Sequence, residues 1–191
     1  MSEHTPEERR ILLEVAAASI RHGLETGRPL SVRLEDYPES LREPGAAFVT
    51  LHLDGRLRGC IGSLEAIRPL VEDVAQNAFA AAFRDPRFPP VTAEEYPRLE
   101  YHISILGKPE PFPVSSEADL LARLRPGIDG LVLIEGHRRA TFLPSVWEQL
   151  PDPQQFLANL KIKAGLPVDY WSDTLRFERY TVEEFGNQGK P

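Results

Sequence analysis

Two short apolar runs separated by Asp54-Gly55 constrain this chain more than any other feature. Phe48-Val49-Thr50-Leu51-His52-Leu53 is β-branched and aromatic, and Leu57-Arg58-Gly59-Cys60-Ile61-Gly62 follows the Asp-Gly pair. Asp-Gly between such runs is a strong hairpin signal, because a type I′ turn needs positive φ at both central positions. Cys60, the single cysteine, therefore lies on the return strand. Gly59 and Gly62 are poor strand formers, so they suggest a bulge or the close approach of another group.

The rest of the chain alternates helices with further hairpins. Thr5-Pro6-Glu7-Glu8 is a capping box with proline at the first helical position, opening a helix that Gly23 is expected to stop. Residues 28–44 read as a long proline-rich loop or short irregular elements. Pro69 opens a second helix, which Asp85-Pro86 should end. Tyr101–Leu106 alternates as a strand with Tyr101, Ile103 and Ile105 on one face. A helix over Ser116–Leu124, a hairpin over Leu131–Pro144, a capped helix from Asp152 to Gly165 and a strand over Leu175–Tyr180 complete the pattern. The two hairpins, each followed by a proline-opened helix, suggest an internal duplication. This order implies an α+β fold, not a doubly wound parallel sheet. Residues 1–186 read as one domain, and residues 187–191 as a disordered tail.

Composition bounds the function. The 41% hydrophobic and 27% charged content is that of an ordinary soluble domain. A net charge of −7 argues against nucleic acid as a partner, although a local basic patch would be compatible with it. No apolar run approaches the ~18 residues needed to span a bilayer, and the N-terminus lacks a signal-peptide pattern. A single cysteine excludes an internal disulfide and a Cys-rich zinc site, so a reducing cytoplasm is expected and no metal or cofactor is implied. Phosphate-loop, dinucleotide-binding, nucleophile-elbow and H-E-x-x-H motifs are absent.

What remains is a small set of candidate residues. If the strand alternates regularly, Arg58 and Cys60 share a face, and a neighbouring guanidinium favours the thiolate. The alternative is that Cys60 is a small buried hydrophobe. His52 is the candidate base. A two-residue Asp54-Gly55 loop pairs it with Leu57 and turns it away from Cys60, whereas a longer loop or a bulge at Gly59 brings it onto the cysteine face. His102, on a later strand, is a second candidate. Backbone amides around Gly59 and Gly62 could hold an anion. Arg84, Asp85 and Arg87 form either a rigid anion clamp or an Arg–Asp pair that holds the loop. Lys161 and Lys163 either terminate their helix or, for Lys163, bind a ligand.

F48-V-T-L-H, L57-R-G-C-I-G, D85-P-R-F, D129-G-L-V-L, T141-F-L-P-S-V-W and N159-L-K-I-K-A-G-L together resemble the AMMECR domain family, called AmmeMemoRadiSam system protein A in bacteria and archaea. The resemblance runs from about Arg9 to Phe185. It implies a larger and a smaller lobe around a cleft, with a barrel-like, mostly antiparallel sheet and the L-R-G-C-I-G motif beside the cleft. It also implies a Memo-like protein and a radical S-adenosylmethionine protein as partners. It assigns no established activity, and Lys161 stands where many relatives have a second cysteine, which argues against a two-cysteine redox scheme. Two readings follow: an enzyme or accessory enzyme using Cys60 on a small molecule or protein side chain, and a non-catalytic module that binds a protein partner. The substrate and oligomeric state are not legible.

Overall fold

The computed structural model describes residues 3–187. The chain forms two compact units. One runs to Leu106 and resumes at Glu183; the other is Gly107–Val182.

In the first unit α1 spans Pro6–Thr26, with Thr5 Oγ1 accepting from the Glu8 N–H while Glu8 bonds back to the Thr5 N–H. The helix passes through Gly23 and ends at Gly27, whose φ is 75°. Gly23 serves packing: a Cβ there would lie 2.5 Å from the Phe83 ring. A short helix α2 (Glu39–Arg42) leads to a two-residue strand β1 (Pro44–Gly45), then to the hairpin β2 (Ala47–Leu53) and β3 (Arg56–Gly62). Strand β4 (Arg68–Pro69) pairs with β1, and α3 (Leu70–Phe83) follows directly. As expected, α3 ends just before Asp85-Pro86.

Strand β5 (Leu99–Leu106) lies antiparallel beside β2. Alternation along β2 and β5 then divides the sheet cleanly. Val49, Leu51, Leu99, Tyr101, Ile103 and Ile105 face a core shared with Leu12, Ile20, Val71, Val74 and Ala78 of the two long helices. Phe48, Thr50, His52, Glu100, His102 and Ser104 share the opposite face and are half-buried.

In the second unit β6 (Glu110–Pro111) and α4 (Glu117–Arg123) precede the hairpin β7 (Gly130–Glu135) and β8 (Arg138–Phe142). Helix α5 (Pro153–Lys163) and strand β9 (Arg176–Tyr180) follow, giving the sheet order β6-β9-β7-β8. Its core stacks the Trp147 and Phe156 rings at 3.8 Å between centroids. Lys161 is fully buried there, donating to Glu117 at 2.6 Å and to the Val168 carbonyl at 3.1 Å. Packing and not simple helix termination accounts for it.

The last strand, β10 (Val182–Gly186), returns to the first unit and pairs with β5, giving the order β10-β5-β2-β3. The sequence reading ended regular structure at Tyr180 and missed this strand. Asn187, placed there at the start of a tail, donates to the Tyr101 carbonyl and accepts from the Tyr101 N–H. The other tail residues, 188–191, lie outside the described residues. The architecture is α+β, as expected, with β2–β3, β2–β5, β7–β8 and β7–β9 all paired antiparallel, and among the described residues both four-stranded sheets are open. Each unit contains the same hairpin–helix–strand connectivity, in which the last strand returns beside the first strand of the hairpin.

Candidate functional site

The hairpin geometry departs from regular alternation at one residue. Leu53 pairs with Arg56 and His52 with Leu57, which is the register a two-residue loop dictates. The register then slips between Leu51 and His52, so that Leu51 opposes Gly59 and Thr50 opposes Cys60, leaving Arg58 unpaired. This bulge reverses the parity of everything beyond it.

Two expectations change as a result. Cys60 now shares the outer sheet face with Thr50 and His52, so the compact turn does not separate histidine from cysteine. Arg58 no longer accompanies Cys60. It donates from Nε and Nη2 to both carboxylate oxygens of Glu95, each at 3.0 Å, and from Nη2 to the Pro90 carbonyl at 3.2 Å. It is 8% exposed, and its Nη1 has no partner among the described residues. The Arg58 guanidinium holds Glu95 far below the usual carboxylate range, at about 2, against the cost of burying it. Arg58 therefore ties β3 to the loop after α3, with its charge paired to Glu95.

Gly59 has a separate reason to be glycine. A Cβ there would lie 2.0 Å from the Ala81 carbonyl oxygen of α3, so β3 and the helix backbone touch. At Gly62 the same atom would meet the Phe48 ring at 2.1 Å. Both glycines thus admit neighbouring groups, and packing explains them without an anion.

The loop after α3 carries a second arginine–carboxylate pair, and this one reaches Cys60. Cys60 donates its N–H to Asp85 Oδ2 at 3.0 Å, so the carboxylate covers the open edge of β3 at the cysteine. The same oxygen accepts from Arg87 Nη2 at 2.8 Å, while Oδ1 accepts from the Arg87 N–H and Nε, each at 3.0 Å. Arg87, helped by the two backbone N–H groups, holds the Asp85 carboxyl well below the usual carboxylate range despite its burial. The Asp85 side chain is 2% exposed and that of Arg87 is 54% exposed, so the anion is hidden and the cation presented.

Because the Cys60 N–H points to Asp85, Thr50 and Cys60 form a non-hydrogen-bonded pair, in which side chains approach most closely. The Thr50 hydroxyl lies 3.2 Å from Cys60 Sγ. His102 faces Thr50 from the other side, on β5. The structure therefore brings together Cys60, Thr50, Asp85 and Arg87, with His52 and His102 on the same sheet face.

Other candidates lie elsewhere. Arg84 stacks over the Phe79 ring at 5.3 Å. Lys163 belongs to the second unit, where it donates to the Thr141 carbonyl at 2.8 Å and lies over Phe142. Thr50 was missed because a lone strand threonine carries no motif; only the cross-strand register reveals it. No group of three or more His, Cys, Asp or Glu among the described residues could hold a metal ion. None of their helices is long and apolar enough to cross a membrane.

Comparison with known proteins gives a consistent result. The family model AMMECR1 matches residues 13–185. A protein of Methanothermobacter thermautotrophicus is 37% identical, with 96% of each chain covered. One from Methanocaldococcus jannaschii is 41% identical over 82% of each. The crystal structure of an uncharacterized protein from Pyrococcus horikoshii superposes with a TM-score of 0.82 at 34% identity, covering 96% of this chain and 93% of that one. Both the hairpin carrying Cys60 and the Asp85–Arg87 loop fall within the matched residues, and the chain belongs to the AMMECR1 family.

Proposed function

We propose that this protein is an enzyme or accessory enzyme in which Cys60 acts as a nucleophile on a small molecule or protein side chain. The observation that carries this reading is the convergence at Cys60. Its backbone is fixed by a buried carboxylate, a hydroxyl contacts its sulfur, and a half-exposed guanidinium shares its anchor. His52, on the same face as Cys60 and diagonal to it across the hairpin, takes the role of base: it receives the thiol proton as the sulfur bonds to an electrophilic carbon and the electron pair of the displaced bond departs with that carbon's leaving group. The family resemblance supplies a Memo-like protein and a radical S-adenosylmethionine protein as its partners.

The test is the rate of Cys60 alkylation by iodoacetamide at neutral pH, read by peptide mass spectrometry. His52→Ala is expected to slow it by roughly tenfold or more. Leu57→Ala, at the position paired with His52, should leave it within about twofold. Equal rates in the wild type and His52→Ala remove the histidine from the mechanism.

A second reading has its own support. Leu64 and Ile67, in the loop just after β3, are 51% and 80% exposed. Large apolar side chains beside the motif suit a module that recognises a protein partner. Double replacement of Leu64 and Ile67 by serine separates the two readings. It abolishes binding of a purified Memo-like protein if this reading holds, and leaves Cys60 alkylation unchanged in either case.

A further inference from the structure

The Asp85–Arg87 pair is asymmetric in a way that bears on substrate class, granted the reading of Cys60 as the reactive group. Arg87 meets Asp85 side-on, through Nε and Nη2. A guanidinium bound along that edge still presents its end, where one N–H on each terminal nitrogen points outward in parallel. Among the described residues Nη1 makes no hydrogen bond, and the side chain remains 54% exposed. The Phe88 ring lies 5.3 Å from the guanidinium carbon and limits its freedom on one face. The carboxylate that neutralises it is buried, so a ligand approaching from solvent meets the cation first. Arg87 Nη2 and the Cys60 N–H converge on one oxygen, Asp85 Oδ2, which places the guanidinium next to the cysteine.

We propose that Arg87 is the recognition residue of the Cys60 site, and that the site takes small molecules or side chains carrying a carboxylate beside the carbon that meets the sulfur. Two parallel N–H donors match the two oxygens of a carboxylate, and a guanidinium already fixed by Asp85 loses little freedom on binding it. Asp85 is then a positioning residue for both partners: it sets the thiol through the Cys60 backbone and aims the guanidinium through its fork.

The experiment compares two reagents that offer the sulfur the same carbon and the same leaving group, iodide. Iodoacetate carries a carboxylate next to that carbon, and iodoacetamide carries a neutral amide. The readout is the ratio of their second-order rates at Cys60, referenced to the same ratio in the urea-unfolded chain. The wild-type ratio is expected to exceed the unfolded one by about fivefold and to fall with added salt, because a half-exposed ion pair is modest and screened. Arg87→Gln should bring the ratio down to the unfolded value, and Arg87→Lys, which keeps charge but not the fork, should fall between. Lys also keeps the test available if the glutamine variant fails to fold. A ratio in Arg87→Gln equal to the wild type, or equal slowing with both reagents, overturns the proposal while leaving Cys60 as the nucleophile. Failure of native Cys60 to react with either reagent overturns the underlying reading and this one with it.

Discussion

Asp85→Ala is the perturbation whose consequences the structure specifies most fully. The carboxylate accepts four hydrogen bonds: from the Cys60 N–H, the Arg87 N–H, and Arg87 Nε and Nη2. Alanine strands two backbone donors, those of Cys60 and Arg87, whose bonds to Asp85 are part-buried. A hydrogen bond to a charged acceptor contributes about 1.5–3 kcal/mol, and leaving a donor unmatched costs about as much. The fork to the half-exposed guanidinium adds at most about 1 kcal/mol. Because the freed loop can relax and admit water, the lower end applies, and the expected loss is about 3 kcal/mol. That is on the order of a hundredfold in the folded-to-unfolded ratio. Asp85→Asn keeps one oxygen for the Cys60 N–H but sets an amide NH2, which can only donate, against the Arg87 N–H and Nε, so it spares the Cys60 bond alone and should still cost about 2 kcal/mol.

The assay is urea unfolding followed by far-ultraviolet circular dichroism, to which the long helices α1 and α3 of this unit contribute most. Trp147 and Trp171 both lie in the other unit, so tryptophan fluorescence follows that unit in the same samples. With m near ~2 kcal/mol/M, the alanine variant shifts the dichroism midpoint down by roughly 1.5 M. A shift below about 0.3 M in Asp85→Ala contradicts the account, since it would mean that the carboxylate does not secure the edge of β3.

Gly59→Ala drives a Cβ to 2.0 Å from a helix carbonyl and is expected to cost about 3 kcal/mol or more, read as loss of soluble folded protein or a similar fall in midpoint. Glu95 has a depressed folded value, about 2 against an ordinary 4.5, so its contribution is complete above pH 4.5 and is lost as pH falls towards 2. Glu95→Gln should accordingly be less stable than the wild type by about 2–3 kcal/mol at neutral pH, with the gap closing in acid. A gap that persists at pH 2 refutes the ion-pair assignment. Lys161→Ala should cost about 2–3 kcal/mol through the cavity it leaves, whereas Lys161→Met, which fills the space and frees a partly exposed Glu117, should stay within about 1.5 kcal/mol by the same unfolding assay.

The features legible in the sequence are those set by neighbours a few residues away. The Thr5–Glu8 capping box, the Asp54-Gly55 turn, the end of α3 before Asp85-Pro86 and the alternation of β5 depend on local backbone preference and a repeating apolar face. The site was legible as a location, because an arginine, two glycines and the single cysteine in one strand are unusual. Its wiring was not. A bulge inserts one residue and reverses the face of its neighbours, and Gly59 hinted at irregularity without saying which residue would be unpaired. Arg58 was therefore assigned to the thiol although Glu95 holds it. The Cys60–Asp85 bond joins residues 25 positions apart and Lys161–Glu117 joins residues 44 apart, separations over which local patterns carry no pairing information. Strand β10 reads locally as a charged tail and becomes a strand because β5 offers it an edge.

Whether Cys60 is a working nucleophile or filler on the outer face of the sheet is decided by its alkylation rate in the native protein compared with the same thiol in the urea-unfolded chain. With iodoacetamide at neutral pH, the account predicts that folded Cys60 reacts faster than the unfolded thiol, and that Cys60→Ser abolishes labelling. Protection of Cys60 until urea unfolds the chain contradicts it and leaves the partner-binding reading in its place.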